Sequence, residues 1–262
     1  MSIYVYGIIR APQSPVHEDL EGIGDPPRPV RVLRRGELAA LVSDAPDQLR
    51  PKRRDLLAHQ RVLAEAGAGG VVLPMRFGSA SPDDDTVTRV LAERAEHFLE
   101  RLRALDGTAE YNIKATHDEE AVLRLIMADH DDIRAVAAAN REAGGGTQEE
   151  KIRLGEMIAA AVQAREATDA QLLEQALQPM AKTVSTGPPS TGWLANVSFL
   201  VDRGSAERFL AAVDQFHQEH PHLELRVNGP LPPYSFVDTP SSQQAEGGTA
   251  EAFGAAAAQP DG

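Results

Sequence analysis

Ile3-Tyr4-Val5-Tyr6-Gly7-Ile8-Ile9 opens the chain with apolar or aromatic side chains at both phases of a two-residue repeat. A strand covered on both sides has this pattern, so the segment predicts a central strand of a sheet. Pro12, Pro15, Pro26, Pro27 and Pro29 follow in a stretch with no helical or strand period, which predicts a loop. Val30 and Val32 resume alternation, Arg35-Gly36 offers a tight turn, and Leu38, Ala40 and Val42 face one way on the return, a β-hairpin. Residues 52–66 predict a helix closed by Gly67, with Leu56, Leu57, Leu63 and Ala66 as its buried side. Val71-Val72-Leu73 predicts a short strand stopped by Pro74. In the next helix Ser81 caps, Pro82 fits the first position, and Asp83 to Asp85 sit well against the N-terminal dipole. Val87, Leu91, Ala95, Phe98, Leu102 and Leu105 then recur at steps of three or four until Gly107. Tyr111, Ile113 and Ala115 predict a strand. The order β, ββ, α, β, α, β closes a first α+β domain over residues 1–116.

Beyond it, Thr116 and Glu119 have capping-box spacing for another helix, which runs to an Asp-rich turn and a short Ala-rich helix ending at Gly144-Gly145-Gly146. Residues 147–178 predict a long helix striped by Leu154, Met157, Ile158, Ala161, Val162, Leu172, Leu173, Ala176 and Leu177. Arg165 and Thr168 interrupt that stripe, which favours an antiparallel helical hairpin over a continuous coiled coil. Two strands flank Pro188-Pro189. In the second, Trp193, Ala195, Val197, Phe199 and Val201 point one way and Asn196, Ser198 and Asp202 the other. A helix from Ser205 buries Phe209, Leu210, Val213 and Phe216 and breaks at Pro221, and Leu223, Leu225 and Val227 make a last strand. These elements form a second α+β domain over 117–237, a helical hairpin plus a small antiparallel sheet. Residues 238–262 hold one aromatic, Phe253, and no Lys or Arg, and predict a disordered acidic tail.

Composition narrows the function classes. Twenty-six Lys+Arg against 39 Asp+Glu leave a net charge of −13, which disfavours a general nucleic-acid binder. The absence of cysteine excludes a thiol nucleophile and every Cys-ligated metal site. Apolar runs are too short to span a bilayer, and Met1 to Tyr6 lack the regions of a signal peptide. A soluble cytoplasmic protein without a membrane partner is expected.

No enzymatic constellation rises above background, and no cofactor is expected. His217-Gln218-Glu219-His220-Pro221-His222 is the most metal-like run, but its spacing is not His-Glu-x-x-His and Pro221 breaks the helical register. Arg50, Lys52, Arg53 and Arg54 sit at a helix N-terminus, where cations oppose the macrodipole; the run suits a phosphate or an acidic partner surface, against the plainer reading of a solvated helix start. Arg76-Phe77 follows the strand that Pro74 stops, and Tyr234 and Phe236 lie in a proline-stiffened stretch after the last strand. These eight residues are the candidate partner-binding positions. Packing back over the sheet is the plainer reading of the proline-rich stretch.

Five segments together resemble the gas vesicle protein GvpL/GvpF family: Tyr4-Val5-Tyr6-Gly7-Ile8, Leu73-Pro74-Met75-Arg76-Phe77-Gly78, Tyr111-Asn112-Ile113-Lys114, Leu194-Ala195-Asn196-Val197-Ser198-Phe199-Leu200-Val201 and Asn228-Gly229-Pro230-Leu231-Pro232-Pro233-Tyr234-Ser235-Phe236. The resemblance covers residues 1 to about 237 and leaves out the tail. It implies two α+β domains, the first a modified ferredoxin-like sheet. It also implies a non-enzymatic accessory protein or minor component of the gas vesicle. Such a protein would bind the main shell protein and other accessory proteins and keep shell subunits from aggregating during nucleation. The competing reading is a ferredoxin-like small-molecule- or metal-binding protein that uses His217–His222 or Arg50–Arg54.

Overall fold

The computed structural model describes residues 2–11, 19–47, 49–188 and 192–238. The acidic tail past Asp238 and Pro12, Pro15 and Pro189 lie outside the described residues. Among those described, the fold is α+β, with two antiparallel sheets and seven helices. Two compact units divide it: one runs to Glu110 and resumes at Gly229, and the other is Tyr111–Asn228.

The first unit is built on β1 (Ile3–Arg10), in which every residue but Arg10 is buried. Its neighbours are β3 (Leu38–Asp44) on one side, with β2 (Arg31–Arg35) beyond, and the two-residue strands β4 (Leu73–Pro74) and β5 (Ala80–Ser81) on the other. Every pairing is antiparallel. The register of β1 on β3 slips between Val5 and Gly7, a bulge that changes which phase of the strand faces which side. Tyr4 and Tyr6 before the slip and Ile9 after it therefore join one cluster with Leu41, Val62, Leu63, Ala66 and Val72.

That cluster is capped by α1 (Arg53–Ala68), whose buried residues are Asp55, His59, Val62, Leu63 and Ala66. Leu56 and Leu57 are exposed, the latter at 54 %. The buried face of α1 is thus rotated from the one predicted, because two polar residues, Asp55 and His59, have partners in the core and take positions that hydropathy assigns to leucine.

On β1, Gly7 is required by close approach: a Cβ there would lie 2.8 Å from both the Leu73 carbonyl oxygen and Leu63 Cδ2. The carbonyl is fixed by the β1–β4 pairing, Ile8 opposite Leu73. Gly7→Ala is expected to cost about 1–3 kcal/mol, as overpacking does. Gly67→Ala, whose new methyl meets only Val72 Cγ1 at 3.7 Å in a helix, is expected to be neutral or to stabilise by about 0.5–1 kcal/mol. Urea denaturation of the two variants checks the contrast.

The predicted helix over residues 81–105 is two helices, α2 (Asp84–Glu93) and α3 (Ala95–Ala104), broken at Arg94. The cap is Asp83, whose carboxylate accepts from Thr86 N, and not Ser81, which pairs in β5. Val87, Leu91, Phe98 and Leu102 are buried, as the spacing requires.

In the second unit the sheet order is β7 (Thr183–Thr186), β8 (Ala195–Asp202), β6 (Thr108–His117) and β9 (Leu223–Leu231). β6, which its place in the chain assigns to the first domain, lies between β8 and β9, and Tyr111 tilts against Phe209 of α7 (Ala206–Glu219), centroids 5.3 Å apart. Phe209, Val213 and Phe216 are buried in α7, whereas Leu210 is exposed. On β9 Val227 is exposed, since β9 is a sheet edge.

The remaining helices are α4 (Glu119–Asp129), α5 (Asp131–Glu142) and α6 (Gln148–Leu177). Asp118, rather than Thr116, caps α4 by accepting from Ala121 N, because β6 runs on through Thr116. Three helices pack where a hairpin was expected: Val122 and Ile126 of α4 and Ile133 of α5 cluster with Leu154, Met157, Ile158 and Val162 of α6. Gly144, Gly145 and Gly146, all at positive φ, make the turn into α6. Thr147 and Glu150 then close a reciprocal capping box.

Candidate interaction surfaces

The segment Leu73 to Gly78 is held by buried hydrogen bonds. Met75 N donates to the Tyr6 carbonyl at 2.8 Å. His59 Nε2 lies 3.1 Å from the Met75 carbonyl, which can only accept, so Nε2 carries the proton. Nδ1 is then the acceptor for the Tyr4 hydroxyl at 2.9 Å, and the Tyr4 oxygen accepts from Gly78 N at 3.3 Å. Burial keeps His59 neutral and pushes its pKa down to about 4, against a smaller upward pull from the Met75 carbonyl. Tyr6 accepts from Ile23 N and shares a hydrogen bond with Ser43, and burial raises both phenols. Asp55 accepts from Gly24 N at 3.0 Å.

Two of the aromatic candidates pack against this core. Phe77 tilts against Tyr4 and His59. Tyr234 packs on the same cluster, its pKa pushed up to about 12 by burial and the Glu110 charge. Phe236 is buried and its carbonyl accepts from Arg101. Buried Glu110 accepts from Ser235 N and Oγ at 2.8 and 2.7 Å. Residues 234–237 thus pack back on the first unit.

The basic candidates lie outside that core. Arg50, Lys52, Arg53 and Arg76 are exposed, while Arg54 pairs with Asp25. Lys52 caps α1 without a side-chain hydrogen bond. The exposed cations of α1 adjoin Leu56 and Leu57, a neighbour set that the leucines' predicted burial had hidden.

In the second unit the histidine run comes apart. His217 is exposed, and His220 stacks on Phe216 and hydrogen-bonds its carbonyl. His222 turns inward to Asp169 Oδ2 at 2.9 Å, where His117 Nε2 also arrives at 2.9 Å. Arg165 Nε donates to both oxygens of Asp169 at 3.0 Å. Burial alone would raise the Asp169 carboxyl, but hydrogen bonds from Arg165, His117 and His222 hold it below the usual range. Burial, Arg165 and His117 depress His222 against the pull of Asp169.

His117, Asp169 and His222 bring three metal-type donors within 4.8 Å of one another. The guanidinium, however, already balances the carboxylate and would repel a cation, so the cluster reads as a buried ion pair that two imidazoles join. Its sequence signal was the Arg165…Asp169 spacing inside an apolar stripe. Charges four apart on a buried face pair with each other.

Beside the cluster lies a cavity of about 540 Å³ whose walls include His117, Val122, Leu123, Val162 and Trp193. A second, of about 420 Å³, follows α6 past Ala167 and Ala170 to Glu174. The two share Glu166, Trp193 and Leu194, so they form one groove. Lys114 and Arg226 each stand 5.2 Å from the Trp193 ring.

Comparison with known proteins agrees in sequence and in fold. The family model described as "Gas vesicle synthesis protein GvpL/GvpF" matches residues 2–238. Gas vesicle protein F of a Streptomyces species is 64 % identical over 238 residues, which is 91 % of this chain and all of that protein. Gas vesicle protein F of Dolichospermum flosaquae is 30 % identical over 91 % of this chain and 98 % of its own length. The crystal structure of GvpF from Anabaena superimposes with a TM-score of 0.72 at 26 % identity, covering 91 % of this chain and 98 % of that one.

Proposed function

Because the chain belongs to the GvpL/GvpF family of gas vesicle synthesis proteins, we propose that it is an assembly factor that binds the main gas vesicle shell protein and keeps it from aggregating before incorporation. Other accessory proteins of the vesicle are its further partners, and the vesicle and the surrounding cytoplasm are its places of action. No described helix is long and apolar enough to cross a membrane.

The observation that carries this reading is the pairing of large apolar side chains held at the surface with a net charge of −13. Leu57, Leu123, Ile152 and Leu172 are exposed on α1, α4 and α6. A subunit that polymerises through apolar faces and strand edges is an aggregation hazard while free. Apolar contacts can cover such a face while the surplus negative charge keeps the complex dispersed. Edge strands β7 and β9 and the outward side of α6 are the contact regions of this proposal. Arg50, Lys52, Arg53, Arg54 and Arg76, with Leu56 and Leu57, are further contacts of this proposal on the first unit.

Co-expression tests it. The soluble fraction of shell protein is expected to rise several-fold with this chain present. Equal insolubility with and without it would overturn the role.

A further inference from the structure

We infer that the groove along α6 seats an amphipathic helix of the partner, apolar on the face turned inward and carrying Lys or Arg on its flanks. The inference rests on the assembly reading above and assigns that reading a contact site.

The walls define the occupant. Val122, Leu123, Val162, Leu194 and the Trp193 ring give an apolar floor. Two acidic groups, Glu119 and Glu166, are exposed on its lining from α4 and α6, whereas Lys114 and Arg226 lie against the Trp193 ring and are not part of that lining. An apolar channel with an acidic rim favours a cationic flank and rejects an anionic one.

Two of the backbone N–H groups that frame the groove are already used: Leu194 N donates to the Ala115 carbonyl at 2.9 Å and Gly187 N to the Asn196 carbonyl at 2.8 Å. Recognition by the side chains of the walls is the helix-in-groove mode. From Val162 to Glu174 the groove follows α6 for roughly 18 Å at 1.5 Å per residue, the length of a helix of about 12 residues.

Trp193 is the chain's single tryptophan and lines both halves of the groove, so its fluorescence reports occupancy directly. The test titrates the full chain with a Leu/Lys amphipathic peptide of about 12 residues and with its Leu/Glu counterpart. Saturable change of Trp193 emission with the Lys peptide is expected, with binding of the Glu peptide at least roughly tenfold weaker. Glu119→Lys with Glu166→Lys should reverse that preference. Leu123→Arg, at a side chain 41 % exposed, should weaken the Lys peptide at least roughly tenfold. Leu210→Arg, exposed on α7 outside the groove, should not. An unchanged emission with both peptides, or a charge-reversed variant with unaltered preference, overturns the inference.

The same variants in co-expression separate this site from the general role. Shell protein that stays soluble with Leu123→Arg and with the double charge reversal overturns the groove and leaves the assembly role standing. Shell protein that is insoluble even with the unaltered chain overturns the role, and the peptide titration still decides the groove.

Discussion

Asp169→Ala is expected to destabilise the second unit by about 3–5 kcal/mol, the cost of removing one member of a buried charge cluster. The carboxylate is fully buried and gathers Arg165 from its own helix, His117 from the end of β6 and His222 from the start of β9. Without it the guanidinium keeps Asp129 at 3.8 Å and the contact of Nη2 with His222 Nε2 at 3.2 Å, and two imidazole N–H groups lose the carboxylate they share inside the protein. Those unpaired donors account for the size of the effect, because leaving a buried polar group unsatisfied costs more than the bond returned when made. Arg165→Ala with Asp169→Ala should therefore cost less than the sum of the single changes, by about 0.5–3 kcal/mol. Urea denaturation followed by Trp193 fluorescence reads this unit, since that residue lies within it. Strict additivity would mean that the four side chains do not act as one cluster.

What could be read from the sequence follows what is local. β1, the β2–β3 hairpin and β8 were legible because strand burial writes itself as alternation. The bounds of α6 were legible because Thr147 and the glycines before it mark them. The cap of α2 was displaced from Ser81 to Asp83, since several residues in that stretch are chemically able to cap and only the backbone of β5 decides among them. Leu56 and Leu57 misled for a different reason. Hydropathy counts carbon, whereas Asp55 and His59 are buried by specific hydrogen bonds to Gly24, Met75 and Tyr4, far away in sequence.

The candidate sites show the same division. Adjacency in sequence gathered His217, His220 and His222 into one motif, yet a helix end and a strand start send them in different directions. His117 and Asp169, which complete the real cluster, are 52 residues apart. Phe77 follows the strand that Pro74 stops, and Tyr234 lies in a proline-rich stretch whose plainer reading is packing over the sheet. Here their rings extend a core of tyrosines around one neutral histidine, and the motif Leu73 to Gly78 is explained by that packing. The basic run at the start of α1, Arg76 and the leucines Leu56 and Leu57 lie at the surface.

That neutral histidine makes the first unit sensitive to acid. In the folded protein His59 protonates only near pH 4, against an ordinary value of 6.5. Between those limits the unfolded chain binds more protons than the folded one, so stability rises with pH across the window and is lost as pH falls through it. The gap between 6.5 and about 4, at ~1.4 kcal/mol per pH unit, comes to roughly 3.5 kcal/mol. The phenols of Tyr4 and Tyr6 stay protonated throughout, because burial raises both. His59→Phe should flatten this part of the profile. It should also cost about 1–3 kcal/mol at neutral pH, because the Met75 carbonyl loses its donor and the Tyr4 hydroxyl its acceptor. Since His222 titrates low in the second unit as well, the readout must be local: amide exchange in β1, corrected for intrinsic rates, at pH 5 and pH 7. A protection loss at pH 5 that survives His59→Phe would place the sensitivity elsewhere. Its disappearance would identify the imidazole that joins Tyr4 to Met75 as the group through which acid loosens the central strand.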